Sequence, residues 1–134
     1  HSLDKICYLT QSDIAWAMGS CTYLQPGTDV DGSAQMLLRT SSGISASISL
    51  CGYSVVPIDE TMLFFANGSL RLHTGSDLSV TCGSGYETVD TSSYPNAFEA
   101  QWADFISGVR AGRILYCDGT YGASIVRTIE LLYH

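Results

Sequence analysis

The stretch that decides the fold is Ser33–Leu50, which reads SAQMLLRTSSGISASISL. It predicts two strands joined by a tight turn at Thr40–Gly43, because glycine supplies the left-handed backbone that short hairpin loops need. In the second strand apolar residues alternate with serines, the period-2 pattern of a strand with one face on a core. The apolar face is Ile44, Ala46, Ile48 and Leu50, and the opposite face, here named the serine face, is Ser45, Ser47 and Ser49.

The remaining periodicity predicts a helix, then further strands, then two helices. A helix ends near Leu9 and a strand runs from Ile14 to Gly19, with an extension toward Leu24. After a loop at Gln25–Gly32 and the hairpin come four strands and two helices: Thr61–Ala66 (apolar on both faces and so expected to be central), Ser69–His73 after a type I′ turn at Asn67–Gly68, Asp77–Thr81, Tyr86–Val89, Phe98–Ala111 and Gly122–Tyr133. This order predicts an α+β fold, with an open, predominantly antiparallel sheet, helices packed on one face and the other face free for subunit packing.

Composition excludes several classes of function. The 134 residues suit one domain, and a net charge of −7 with six Lys and Arg argues against a nucleic-acid partner. No apolar run reaches the roughly 20 residues of a membrane span. The five cysteines have no metal-ligand or disulfide spacing, so we expect no metal and a cytoplasmic protein in which they are buried and reduced: Cys7, Cys21, Cys51, Cys82 and Cys117.

Few side chains are candidates for chemistry. His1 lies one helical turn before Asp4, a spacing compatible with an acid/base histidine oriented by a carboxylate and equally with a solvated N-terminal histidine. His73 and His134 are expected on the surface. Tyr53 and Tyr94 flank strand ends, where a hydroxyl could meet a polar substrate, although ordinary loop tyrosines have the same pattern; Tyr86 is similarly placed.

The order of these pieces resembles a known family. His1–Leu9 resembles the His-x-x-Asp helix that opens the C-terminal domain of the glucose–fructose oxidoreductase, inositol dehydrogenase and MocA (Gfo/Idh/MocA) oxidoreductases. Similar segments follow in the family's order and cover nearly the whole chain: Asp29–Asp31, the hairpin, Ala66–Leu70, Phe98–Arg113 and Asp118–Tyr133. We therefore expect residues 1–134 to be the C-terminal domain of a longer oxidoreductase, which fits a chain that begins at His1 within a helical pattern.

The resemblance implies an NAD- or NADP-dependent dehydrogenase that acts on a sugar, cyclitol or related polyol. In this family an N-terminal Rossmann domain binds the nicotinamide, and the C-terminal domain supplies one wall of the substrate pocket. His1 matches the catalytic histidine, and Asp4 matches a motif position whose role is catalytic or structural. The family's catalytic aspartate and lysine fall outside the chain. Because no Gly-x-Gly-x-x-Gly follows a strand, we expect these residues alone to bind no nicotinamide and to turn over no alcohol.

The resemblance also explains the serine face, because the family pairs subunits through this sheet. Strict alternation along the first strand places Ala15 and Ala17 with the serines, and turns Ile14, Trp16 and Met18 toward the helices. Small side chains let another sheet approach closely, so we expect a homodimer or higher homo-oligomer through this surface. The alternative function is a free-standing α+β module that binds a partner or dimerises without redox activity.

Overall fold

The computed structural model describes residues 1–23 and 31–131, so most of the predicted loop at 25–32 lies outside the described residues. The elements follow one another along the chain as α1 (Ser2–Thr10), β1 (Ile14–Tyr23), β2 (Asp31–Thr40), β3 (Ser45–Cys51), β4 (Glu60–Phe65), β5 (Gly68–His73), β6 (Leu78–Thr81), β7 (Glu87–Val89), α2 (Ala97–Ala111) and α3 (Gly119–Glu130). The α+β class is confirmed. The strands form two open antiparallel sheets, ordered β1-β2-β3 and β4-β5-β6-β7.

The chain divides into two compact units. The first comprises His1–Val55 and Ile114–His134, and the second comprises Val56–Arg113. Among the described residues, no helix has the length and apolarity needed to cross a membrane.

The predicted hairpin is confirmed. Leu38 pairs with Ala46 across β2 and β3, and the two strands keep a single register from Arg39–Ser45 to Ser33–Cys51. The connecting turn is closed by the Gly43 N–H, which donates to the Thr40 carbonyl at 2.9 Å, and Gly43 has a φ of 88°. A β-carbon at that φ is strained, which is why the turn requires glycine.

The core of the first unit lies between this sheet and two helices. Leu3 of α1 is buried against Leu38 and Ile48, and Leu38 is only 2% exposed. Partly buried residues from β1, β2, β3, α1 and α3 surround them, namely Ile14, Ala17, Met36, Ala46, Ile6 and Ile125. Helices therefore cover one face of the sheet, as the alternation predicted.

The predicted orientation of β1 is wrong beyond Ile14. A register shift between Ile14 and Trp16 places an extra residue, Ala15, in the strand, and an extra residue inverts the alternation that follows it. Ala17 consequently packs on the core, whereas Trp16 and Met18 are 49% and 53% exposed. The uncovered face, here named the open face, carries Trp16, Met18, Gln35, Leu37, Arg39, Ser45, Ser47 and Ser49.

The second unit departs from prediction at β4. This strand is an edge strand paired with β5, not a central one, and Phe64 and Phe65 are largely exposed. Phe65 pairs with Gly68, so the turn residues are Ala66 and Asn67 and the predicted turn is displaced by one. A Cβ at Gly68 would lie 2.1 Å from the Thr81 carbonyl oxygen, so the close approach of β6 requires this glycine.

Helix α2 ends at Ala111, as the sequence predicted, and begins at Ala97, one residue before the predicted start. The Asn96 side chain accepts hydrogen bonds from the N–H groups of Phe98 and Glu99, and the Glu99 carboxylate accepts one from the Asn96 N–H. This capping box satisfies N–H groups that have no partner inside the helix. At the other end Gly112, with a φ of 64°, closes the helix.

No disulfide joins the five cysteines, all of which lie in the described part of the chain. The prediction that they are buried is right for Cys7 and wrong for Cys51, Cys82 and Cys117, which are exposed. Cys51 ends β3, Cys82 follows β6 and Cys117 lies just before α3.

Candidate functional site

His1 occupies the N-cap position of α1. Its backbone carbonyl accepts a hydrogen bond from the Lys5 N–H at 2.8 Å, while its side chain makes no capping bond and is exposed. The imidazole is therefore accessible to a ligand. Asp4 lies in the first turn of the same helix, and residues three apart on a helix are neighbours on its surface. The two residues that the sequence singled out for chemistry therefore lie at the same end of α1.

Asp4 is held by a residue from the other end of the chain. The Tyr121 hydroxyl donates a hydrogen bond of 2.5 Å to Asp4 Oδ1 in a partly buried setting. Tyr121 lies in the first turn of α3, where its N–H donates at 2.8 Å to Oδ1 of Asp118, the N-cap residue. One charge-assisted hydrogen bond therefore joins the first turn of α1 to the first turn of α3.

Two more tyrosines extend this contact into an aromatic cluster. The ring centroid of Tyr116 lies 5.1 Å from that of Tyr121, and the Tyr8 ring meets Tyr116 edge-on at 5.5 Å. Burial raises the pKa of Tyr121 far above its usual range, and the hydrogen bond to Asp4 raises it further. Burial also raises the pKa of Tyr116. Both phenols therefore stay protonated at neutral pH, and Tyr121 stays a hydrogen-bond donor.

A cleft of about 180 Å³ borders the cluster. Its walls are Cys7, Gln11, Ser12, Asp13, Tyr116 and Tyr121. Burial raises the pKa of the Cys7 thiol, and the carboxylates of Asp13 and Asp4 add to this effect. A thiol that stays protonated is a poor nucleophile, so the cleft offers a polar pocket for a few atoms and no reactive cysteine.

The two candidate substrate tyrosines are placed elsewhere. The Tyr53 hydroxyl donates to the Tyr23 carbonyl at 2.9 Å, a bond that ties the segment after β3 to the end of β1. Tyr94 lies in the second unit, exposed, with its N–H donating to the Thr91 carbonyl. The hydroxyl of Tyr53 is thus engaged in a structural bond, and neither residue belongs to the cluster around Asp4.

His73 is the centre of a separate ionic cluster in the second unit. Its Nε2 lies 2.8 Å from Glu60 Oε2 and its Nδ1 lies 3.0 Å from Asp77 Oδ1, with the ring about one third exposed. The hydrogen bonds to Glu60 and Asp77 raise the pKa of His73, and the His73 bond lowers the pKa of Asp77. Both ring nitrogens face carboxylates, which favours the imidazolium. In the described ranges no group of three or more His, Cys, Asp or Glu side chains could hold a metal ion. His134 lies outside the described residues.

Sequence reasoning missed Tyr121 and Tyr116. The last helix was predicted to begin at Gly122, whereas α3 begins at Gly119 with Asp118 as its N-cap, so Tyr121 lies in its first turn. Its hydrogen-bond partner Asp4 is 117 positions away, and no local pattern marks such a contact. Only the packing of α1 and α3 on one sheet reveals it.

The sequence matches no protein-family model, and a search of curated proteins likewise finds no match. Solved structures with the same fold include aldose–aldose oxidoreductase from Caulobacter crescentus complexed with glycerol, at 19% identity and a TM-score of 0.84, matched over 98% of this chain and 42% of its own.

A second is the UDP-N-acetylglucosamine 3-dehydrogenase GnnA from Acidithiobacillus ferrooxidans, at 20% identity and a TM-score of 0.81, matched over 98% of this chain and 45% of its own. A third is an oxidoreductase from Agrobacterium radiobacter in complex with NAD⁺, L-tartaric acid and magnesium, at 17% identity and a TM-score of 0.78, matched over 99% of this chain and 44% of its own. This chain thus spans less than half of each. At such identities the likeness establishes a shared fold over nearly the whole chain.

Proposed function

We propose that residues 1–134 are the C-terminal domain of a longer NAD(P)-dependent dehydrogenase. The chain has the fold of Gfo/Idh/MocA-type oxidoreductases, as its sequence predicted. Its substrate is a sugar, cyclitol or related polyol. The observation that carries the proposal is an exposed histidine at the start of α1, one turn from an anchored aspartate, in a chain of this fold. Similar structures described as a UDP-N-acetylglucosamine dehydrogenase and as complexes with glycerol or NAD⁺ support it.

The part of the reaction that this chain supplies is proton transfer. Oxidation of a secondary alcohol requires a base within hydrogen-bond reach of the hydroxyl. His1 takes that role, because its imidazole makes no capping hydrogen bond to α1. Asp4 is turned to Tyr121, which supports a positioning role for Asp4 in preference to a catalytic one. The substrate would lie against the N-terminal turn of α1.

The residues present do not fit a nicotinamide dinucleotide. The chain has no glycine-rich turn of the Rossmann type, and the cleft of about 180 Å³ is smaller than the pockets of roughly 300–1,000 Å³ that hold drug-sized ligands. We therefore assign the cofactor to the part of the longer protein outside these residues. Calorimetry of the 134-residue chain with NAD⁺ and NADP⁺ should give no binding heat, and micromolar binding would contradict this assignment.

The decisive experiment measures turnover by the longer protein on a panel of aldoses, cyclitols and polyols with each nicotinamide. His1→Ala should lower kcat by roughly 10²–10⁴-fold, the contribution of a positioned acid/base group. His73→Gln is the matched control, since it removes a histidine of the other unit and should leave kcat within about twofold. Full activity of His1→Ala would show that His1 is not the base.

We further propose that the protein is a homodimer or higher homo-oligomer that pairs through the open face. Met18, Leu37 and Ser47 form one row across the three strands, and Trp16 lies beside them. Trp16, Met18 and Leu37 are each about half exposed, an apolar surface flanked by small serines. Two copies of such a surface can approach closely around a two-fold axis.

An arginine in the middle of the open face tests this assembly. Ser47→Arg should convert the oligomer to a monomer in sedimentation equilibrium, because the new charge would be buried without a partner. Ser84→Arg, on an exposed loop of the second unit, is the control and should keep the mass. An unchanged mass for Ser47→Arg would mean that the open face is solvated.

The exposed apolar residues of the open face also favour the second candidate, a free-standing binding or dimerisation module without redox activity. The residues encoded before His1 discriminate the two. An aspartate four positions earlier, preceded by a Rossmann fingerprint, is expected for the dehydrogenase. A start codon immediately before His1 would favour the module. A cytoplasmic location remains a prediction from the cysteine pattern.

A further inference from the structure

The bond between Asp4 and Tyr121 joins the helix turn that carries His1 to the rest of the first unit. Tyr121 is itself fixed, because its N–H donates to the side chain of Asp118, the N-cap of α3, and because α3 packs on the core through Ile125. Asp4 is fixed in turn by the Tyr121 hydroxyl at 2.5 Å. The first turn of α1 therefore has a side-chain tether to a neighbouring helix, in addition to its own backbone hydrogen bonds.

We infer that Tyr121 is a positioning residue: its hydroxyl holds the Asp4 carboxylate toward α3 and so keeps the negative charge of Asp4 turned away from the His1 imidazole. This inference rests on the proposed function, in which His1 is the base. Tyr121 acts through Asp4 and has no role in proton transfer itself.

The chemistry of the surrounding groups suits this role. The titratable groups around Asp4 and Tyr121 include the Tyr116 phenol and the Cys7 thiol, which are neutral at pH 7 because burial raises their pKa values, and the cationic Lys5, which follows Asp4 in α1. The Tyr121 hydroxyl donates the hydrogen bond that turns the Asp4 carboxylate toward α3.

Removing this hydroxyl should be felt at His1. A carboxylate three residues along a helix is within reach of the imidazole, and a nearby anion stabilises the imidazolium. In Tyr121→Phe the Asp4 carboxylate loses its donor and is free to turn toward His1. The His1 ring should then titrate at higher pH, which withdraws the neutral base that alcohol oxidation requires.

The test follows the Cε1–H signal of His1 by NMR between pH 5 and 9 in the 134-residue chain. Tyr121→Phe should move the His1 midpoint upward by about 0.5 pH unit or more. Tyr8→Phe is the matched control, because it removes a phenol hydroxyl from the same aromatic cluster without touching Asp4. In an Asp4→Ala background Tyr121→Phe should cause no further change, since the effect passes through Asp4.

The same variants in the longer protein separate this inference from the proposed function. Tyr121→Phe should lower kcat on the order of 10-fold with little change in KM, and its pH profile should move as the NMR midpoint does. An unmoved His1 midpoint, or an equal shift in Tyr8→Phe, overturns the positioning role even if His1→Ala is inactive. If His1→Ala is fully active, the proposed function has failed and the inference fails with it. Circular dichroism confirms that each variant is folded.

Discussion

Leu37 and Leu38 are adjacent in β2 and offer a direct test of which sheet face is covered. Leu38 is 2% exposed and packs against Leu3 and Ile48, whereas Leu37 is 54% exposed on the open face. Leu38→Ala removes a fully buried side chain and leaves a cavity, which should cost about 2–5 kcal/mol. Leu37→Ala removes a side chain that is half in water already, and should cost less than about 1 kcal/mol.

Urea unfolding followed by circular dichroism measures both variants. With a slope of about 1–3 kcal/mol per molar urea, Leu38→Ala should lower the midpoint by roughly 1–3 M and Leu37→Ala by well under 1 M. If Leu37→Ala and Leu38→Ala lose equal stability, at micromolar and at submicromolar protein alike, the assignment of faces is refuted. A loss for Leu37→Ala that appears only at high protein concentration would instead show that the open face is covered in an oligomer.

Three further predictions concern local features. Gly19→Ala should destabilise by about 1–3 kcal/mol in urea, because its Cβ would lie 2.3 Å from a backbone oxygen of β2, whereas Gly83→Ala, with open space around it, should be near neutral. The raised pKa of His73 means that its imidazolium should stabilise the fold fully below pH 6.5, and that this stabilisation should be lost as the pH rises through the raised pKa. The pKa of Asp77 is lowered, so the Asp77 carboxylate should stabilise the fold above pH 3.8 and lose this effect in acid. The unfolding free energy of His73→Gln should accordingly converge on that of the parent at alkaline pH, and a constant difference up to pH 9 would argue against an imidazolium. Asn96→Ala should cost about 1 kcal/mol through loss of the α2 cap, read from the urea midpoint, with no change expected in the slope.

Local patterns were enough to predict most elements of the fold. The hairpin turn depends on Gly43, and the end of α2 depends on Gly112, both of which have positive φ. Such signals lie within a few residues of the structure they determine. The edge position of β4 was not predictable in this way, because Phe64 and Phe65 are apolar whether or not a neighbouring strand covers them.

The candidate site divides along the same line. The His1 and Asp4 pair is visible in the sequence because both lie in one helical turn. Their setting depends on Tyr121, and that contact spans 117 positions. A side chain that becomes a partner only through the packing of two helices carries no mark in its own neighbourhood.

The Ser33–Leu50 stretch by itself determined the hairpin, its turn and its covered face, because apolar residues and serines alternate without interruption from Ile44 to Leu50. The neighbouring strand was different. In β1 neither set of alternating residues is charged, so polarity does not say which side is inward, and a one-residue bulge at Ala15 inverts the pattern. Tertiary packing decided it: the core beneath β1 takes the small Ala17, and the bulky Trp16 is left on the open face.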